Sequence, residues 1–228
     1  MKTQGPWILV VDDSATSRVM IGRQLGRLGC RAEYAEDGRS ALAALEARQY
    51  QMVLLDCYLP DVNGYEVARQ VRAREGDGAD GYTPLIGISA EADAAHVRLC
   101  LDSGMDGILG KPLPPEELRK LLLLWCDHEA GAPLAGGNDR QSEEATDLDA
   151  LFHATSLQDL ADMRSAREAA DLAALRRLAH RMKGAALILG RAQTVLQLER
   201  IEAAAREGAT DLMAIDALIA ALEAALQA

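Results

Sequence analysis

Five times in its first 127 residues the chain passes from a short apolar run to a stretch of helical period. Residues 7–11 read as a buried strand, 31–36, 52–55 and 85–89 as further strands, and 107–110 as a fifth, weaker one. Residues 14–28, 37–48 and 91–101 read as helices, as do a stretch reaching Arg74 after a turn at Pro60, Asn63 and Gly64 and one opened by Pro114 and Pro115. Strands that each lead into a helix demand a parallel sheet with helices on both faces. The first part of the chain is therefore expected to be an α/β doubly wound five-stranded sheet.

At Asp127 the pattern changes. Residues 128–146 read HEAGAPLAGGNDRQSEEAT, rich in Gly, Ala, Pro and acids and without periodicity, and are expected to form a flexible linker. Beyond it every strong signal is helical, at 147–154, 157–170, 171–189, 192–207 and 211–227, and Ala is the commonest residue, which suits a tightly packed all-α bundle. The expected organisation is a sheet domain at 1–127, a linker at 128–146 and a helical domain at 147–228. A length of 228 residues is compatible with two small domains, each burying its own core. Aromatics are only 4% of residues, with Phe152 the one phenylalanine, so both cores must be aliphatic.

Charge and cysteines narrow the function. With 24 basic against 35 acidic residues the chain is a poor partner for nucleic acid or an anionic membrane. The longest apolar runs fall far short of the ~20 residues that cross a bilayer, and the first residues lack a secretory signal. Cys30, Cys57, Cys100 and Cys126 are widely spaced, without a Cys-x-x-Cys pair, which suits a reducing cytoplasm better than a disulfide framework or a zinc site.

In a sheet of this type ligands gather beyond the carboxyl ends of the strands. Asp12 and Asp13 follow the first strand, Asp56 ends the third, Ser89 the fourth, and Lys111 follows the fifth. Three carboxylates held together repel one another. A hard divalent cation relieves the repulsion, and Mg²⁺ suits a site with few protein carboxylates and several waters. An adjacent Lys and a hydroxyl could hold phosphoryl oxygens, so the set predicts an aspartate that attacks phosphorus and becomes an acyl phosphate. Taken singly each residue is an ordinary helix cap or solvated charge; five at one sheet edge are not.

Val10-Val11-Asp12-Asp13, Asp56-x-x-Leu59-Pro60-x-x-Asn63-Gly64-x-Glu66, Ser89-Ala90 and Lys111-Pro112 resemble the signature of response-regulator receiver domains, in order, over residues 7 to about 125. The resemblance implies a flavodoxin-like fold with Asp56 as phosphoacceptor. It implies Mg²⁺ (or Mn²⁺) ligated by Asp13, Asp56 and the backbone carbonyl of Tyr58, with Asp12 acting through water. Ser89 and Lys111 would bind phosphoryl oxygens, and the Lys111–Pro112 bond would be cis. Ile108 stands where many receivers carry a Tyr or Phe switch, which points toward passing phosphate on rather than signalling by a rotating ring.

In the helical domain Leu172, Leu175, Ala179, Met182, Ala186 and Leu189 recur at spacings of 3 and 4, one apolar stripe. His180 falls on the opposite face with Arg176, Arg177, Lys183, Gly184 and Leu187. Gly184 lies one turn after His180, where it costs about 1 kcal/mol relative to Ala, and a use for it is to clear space for an incoming backbone. Five basic residues and one acid lie between Asp171 and Arg191, a local excess that would suit a phosphoryl group and an acidic partner. The plain alternative is a solvated charged face.

Ala179-His180-Arg181-Met182-Lys183-Gly184-Ala185-Ala186-x-x-x-Gly190 resembles the motif of histidine-containing phosphotransfer domains, with Leu198-Glu199 and Ala203-x-x-Arg206-Glu207-Gly208 similar to the helix that follows. That family is a four-helix bundle with an extra N-terminal helix. The resemblance implies that His180 is phosphorylated on a ring nitrogen and that Lys183, Gly184 and Leu187 meet the partner. Ala185 stands where Ser is frequent.

The two chemistries together predict a two-component phosphorelay intermediate, with phosphate moving between receiver aspartates and His180. The expected partners are a sensor histidine kinase upstream and another receiver downstream, in the cytoplasm. No Gly-rich nucleotide loop or kinase-sized domain is present. The same pair of domains ends certain hybrid sensor kinases, so the chain reads either as a relay protein or as a fragment of such a kinase. Two other readings compete: a phosphorylation-gated interaction module in which His180 is idle, and a phosphate sink.

Overall fold

A computed structural model describes residues 5–75, 81–91, 93–128, 138–206 and 212–227, the side chains of 138–146, 212 and 227 excepted. The chain divides into two compact units, Met1–Gly136 and Gly137–Ala228.

The first unit alternates β1 (Trp7–Val11), α1 (Ala15–Arg27), β2 (Arg31–Ala35), α2 (Gly38–Ala47), β3 (Met52–Asp56), α3 (Gly64–Glu75), β4 (Leu85–Ser89), α4 (Ala94–Asp102), β5 (Gly107–Gly110) and α5 (Pro115–Cys126). All four strand pairings are parallel and the order is β2-β1-β3-β4-β5. The chain thus reverses its direction of travel across the sheet between β1 and β3, the switch point where ligands bind.

The side-chain alternation of each strand divides the core in two. Leu9 and Val11 of β1 and Val53 and Leu55 of β3 face α2, α3 and α4, where Ala41, Val67, Ala68 and Cys100 cover them. Ile8, Val10, Met52, Leu54, Ile86 and Ile88 face the other way, against Ile21 and Leu25 of α1 and Leu118 and Leu122 of α5. The central strands β1, β3 and β4 are buried on both faces and so show as nearly continuous apolar runs, whereas the edge strand β2 (RAEYA) is only partly buried.

Local signals set the helix ends. Ser14 caps α1 by accepting from Ser17 N, Asp37 caps α2 with a reciprocal bond to Ser40, and Asp93 caps α4 by accepting from His96 N. Gly29 closes the α1 turn at a φ of 78°. α4 begins at Ala94, three residues later than the apolar pattern indicates, because Asp93 holds the cap.

The second unit holds α6 (Asn138–Glu168), α7 (Leu172–Ile188), α8 (Ala192–Arg206) and α9 (Leu212–Gln227). They surround one aliphatic core to which Leu160 and Met163, Leu175 and Met182, Leu198 and Ile201, and Ile215 and Leu222 contribute from the four helices in turn. The stripe read on α7 is the one that packs.

Two expectations are corrected. The helices anticipated at 147–154 and 157–170 are one 31-residue helix, α6; Thr155 and Ser156 do not break it, the Thr155 hydroxyl bonding back to the Leu151 and Phe152 carbonyls. The linker expected through 146 ends earlier, since α6 starts at Asn138. Residues 138–146 hold no Gly or Pro and several good helix formers, but no apolar period, so a search by periodicity passes over them. The rest of the expected linker, 129–137, and Glu207 and Gly208 lie outside the described residues. The break at Asp171 stands: Ala170 has a φ of 53° and Asp171 caps α7 through Ala174 N.

A Cβ at Gly64 would lie 2.2 Å from the backbone oxygen of Asp56. Gly64→Ala is therefore expected to destabilise the sheet unit by about 1–3 kcal/mol, whereas Gly26→Ala, in a helix with nothing within 4 Å of the new methyl, should stabilise it by up to about 0.5–1 kcal/mol. Urea titration followed by tryptophan fluorescence measures both, since Trp7 and Trp125 belong to this unit.

Candidate functional site

β1 and β3 run side by side with Val11 opposite Leu55, so the residues that follow, Asp12 and Asp56, emerge together. Asp12, Asp13 and Asp56 bring carboxylate oxygens within 4.8 Å of one another. Asp12 and Asp56 are buried and Asp13 is half-buried.

Lys111, delivered by the end of β5, lies between them. Its Nζ donates to Asp12 Oδ2 at 2.7 Å and to Asp56 Oδ2 at 2.6 Å, with 4% of its side chain exposed. The Lys111–Pro112 bond is cis, as the resemblance implies. The other carboxylate oxygens accept backbone hydrogens: Ser14 N donates to Asp12 Oδ1 and Tyr58 N to Asp56 Oδ1, each at 2.9 Å. These bonds aim each carboxylate.

The electrostatics follow from burial. Desolvation raises Asp12 above the ordinary carboxylate range, against the pull of Lys111, and the charge of Asp56 adds to the rise. Burial alone would lower Lys111, but the charges of Asp12 and Asp56 outweigh it and hold the ammonium above the ordinary lysine range. Lys111 is a fixed cation facing an excess of carboxylate.

Ser89 ends β4, is buried, and its Oγ accepts from Glu91 N at 3.1 Å. Tyr58 is half-buried just beyond β3. Ile108 packs against the α2–α4 side of the core. The described structure thus brings Asp12, Asp13, Asp56 and Lys111 together and sets Ser89 at the end of the neighbouring strand.

The second site lies within the helical unit. His180 of α7 is half-buried, with 13% of its side chain exposed. Its Nδ1 is 2.8 Å from Glu202 Oε1, and Lys183 Nζ hydrogen-bonds the other Glu202 oxygen. Burial would raise Glu202, but the hydrogen bonds and charges of His180 and Lys183 prevail and hold it below the ordinary 4.5.

Glu202 was not among the residues singled out from the sequence. Glu199, which belongs to the quoted motif, is exposed; Glu202 is the buried acid. Its signal is its register. Leu198, Ile201 and Ala205 form the apolar face of α8, and Glu202 stands on it as a lone carboxylate.

Lys183 is corrected. It is buried in an ion pair with Glu202 rather than standing on a solvated docking face, because a helical wheel of α7 cannot show a partner supplied by α8. The local positive excess is also smaller than counted: Arg181 pairs with Asp159 and Arg191 with Asp149, while Arg176 and Arg177 are exposed. Gly184 is buried and Leu187 half-buried.

Each of the two units matches a known domain family. Residues 8–123 match the family model of the response regulator receiver domain, and residues 147–228 match that of the Hpt domain. The chain is 27% identical to the sensor protein GacS of Pseudomonas syringae pv. syringae over 92% of its own length and 26% of that protein's. It is 36% identical to the sensor histidine kinase RcsC of Escherichia coli (strain K12) over 53% of its length and 12% of that protein's. The chain therefore spans about a quarter of the first of these relatives and about an eighth of the second. A chain of the co-crystal structure of the Saccharomyces cerevisiae histidine phosphotransfer signaling protein Ypd1 and the receiver domain of its downstream response regulator Ssk1 shares the fold, with a TM-score of 0.51 at 21% identity, covering 57% of this chain and 95% of that one.

Because Glu202 is held below its ordinary value when folded, it contributes stability above about pH 4.5 that is lost as the pH falls through the folded value. Glu202→Gln should flatten this acid limb, and at neutral pH should cost the helical unit about 3–5 kcal/mol by leaving Lys183 buried beside a neutral amide. Calorimetric melting of both proteins across pH 3–7 tests the two effects.

Proposed function

The chain belongs to the response regulator receiver family, with an Hpt domain following, and on that premise we propose that it is a phosphorelay intermediate passing a phosphoryl group between aspartate and histidine. The observation that carries the reading is the pocket where Lys111 bridges the buried carboxylates of Asp12 and Asp56 with Asp13 beside them.

Asp56 is the nucleophile. One of its oxygens attacks the phosphorus of a phosphohistidine or a small phosphodonor; an O–P bond forms, the bond to the leaving nitrogen or oxygen breaks, and the pair of electrons departs with the leaving group. Lys111 faces the transferring oxygens as a cation fixed before the reaction starts, so little reorganisation is needed. The Ser89 hydroxyl, at the neighbouring strand end, supplies a further hydrogen bond to the phosphoryl group.

The donor set is all oxygen and carries two more carboxylates than a single lysine can offset, which fits a hard divalent cation. Asp13, Asp56 and the Tyr58 carbonyl would hold Mg²⁺ or Mn²⁺, with Asp12 through water, and the ion when bound neutralises phosphoryl oxygens. The backbone N–H groups of Ser14 and Tyr58 would hold Asp12 and Asp56 in place for it.

His180 is the second carrier. With Nδ1–H donated to Glu202, the lone pair is on Nε2, which attacks the acyl phosphate: the Asp56 O–P bond breaks and an N–P bond forms. The ring gains positive charge as it does so, and the Glu202 carboxylate offsets it. A second receiver's aspartate then takes the group by the reverse chemistry. A kinase histidine upstream and a receiver downstream are the partners this chemistry requires, and four free cysteines suit a cytoplasmic setting.

Labelled small phosphodonor and Mg²⁺ test the proposal. Wild type should acquire label on Asp56 and pass it to an added receiver. Asp56→Asn should take up none. His180→Gln should keep the Asp56 label but transfer nothing. If His180→Gln transfers as well as wild type, the helical unit is a binding module and the relay reading is wrong.

A further inference from the structure

A second group of ligating side chains lies one residue from the phosphoacceptor and plays no part in its chemistry. Strand alternation turns Cys57 away from the aspartate pocket and into the core beneath α3 and α4. There it meets His96 and Cys100 of α4. The two sulfurs and a ring nitrogen lie within 4.8 Å of one another, and Cys57 Sγ is 3.6 Å from Cys100 Sγ. All three residues are buried, and both cysteines are free thiols.

We propose that Cys57, His96 and Cys100 form a binding site for a thiophilic divalent cation, with Zn²⁺ the ion that the geometry suits. Two thiolates and an imidazole are borderline-soft ligands, the opposite of the oxygen set at Asp12, Asp13 and Asp56, so the two sites take different ions. Sulfurs bound at about 2.3 Å to a tetrahedral centre stand about 3.8 Å apart, and the observed 3.6 Å needs little movement to reach that. His96 and Cys100 are one helical turn apart and share a face of α4.

The imidazole is already oriented. Tyr65 Oη is 3.0 Å from His96 Nδ1, and the Tyr58 ring stacks on the imidazole with centroids 5.7 Å apart and planes 14° from parallel. A ligating histidine usually donates its second N–H to a polar neighbour, which fixes tautomer and ring plane. With Nδ1–H donated to Tyr65, Nε2 is the ligating atom.

Charge also balances. Each thiol loses its proton as its sulfur–metal bond forms, so two protons leave and Zn²⁺ with two thiolates and a neutral imidazole has no net charge. That is the form a buried site tolerates. A water completes the fourth position. Occupancy would tie α4 to the chain one residue beyond Asp56.

The proposal stands apart from the relay reading, and its test does not use phosphorylation. The full chain, reduced and stripped of metal, is titrated with Co²⁺ as the optical probe for Zn²⁺, with Mg²⁺ in excess to fill the aspartate pocket. One Co²⁺ per chain is expected, with thiolate-to-metal charge transfer in the near ultraviolet and tetrahedral bands in the visible, both abolished by added Zn²⁺. Cys57→Ser and Cys100→Ser should each lose the charge-transfer band, and His96→Asn should weaken binding. Tyr65→Phe keeps all three ligands and should weaken binding by about 10–100-fold. The proposal is overturned by a folded chain that shows no thiolate band, by a band that survives in Cys57→Ser or Cys100→Ser, by a Tyr65→Phe affinity equal to wild type, or by a Cys57–Cys100 disulfide found in place of bound metal.

Discussion

Lys111 lies within 2.7 Å of two carboxylates in a pocket from which its own side chain is almost wholly excluded from water. Removing one cation and two anions from solvent is expensive, and the mutual attraction repays it only in part. Such a set persists because of what it does. It leaves the pocket short of positive charge, so that in the proposed relay an ion and a phosphoryl group would meet complementary charges the protein has already placed. The rest of the sheet unit serves this placement: three strands end at one edge, two backbone N–H groups fix two carboxylates, and the packing on both faces holds the strand ends in place.

The helical unit solves the converse problem. Where the first pocket sets one cation among acids, the second sets one acid, Glu202, between His180 and Lys183. In the proposed relay the first arrangement would attract phosphate to an oxygen nucleophile; the second would raise the electron density of a nitrogen nucleophile and stabilise the cation it becomes. Each is a small charge cluster with one member of opposite sign, and in each that member bonds the side chain proposed to carry phosphate.

Most of this was legible in the sequence because strand ends converge by topology. Once five runs were read as parallel strands, Asp12, Asp13, Asp56, Ser89 and Lys111 had to share an edge, and no side-chain geometry was needed to place them. A helical bundle gives no such guarantee. Which residue of α8 faces His180 depends on the rotation of one helix against another, so Glu202 stayed hidden although its place among Leu198, Ile201 and Ala205 betrays it. Lys183 was misread for the same reason. The early start of α6 was missed because helix propensity without an apolar face leaves no periodic trace.

The pairing of β1 with β3 carries one more consequence. Val11 stands opposite Leu55, and Asp12 and Asp56 are therefore neighbours. Sliding one strand by a single residue would send its apolar side chains to the wrong face and would separate the two carboxylates by a residue's rise, about 3.3 Å. The aliphatic residues on either side of the sheet thus act as a vernier. They lie outside the carboxylate pocket, yet they set its scale, and selection on packing is at the same time selection on the spacing of the Asp12 and Asp56 oxygens.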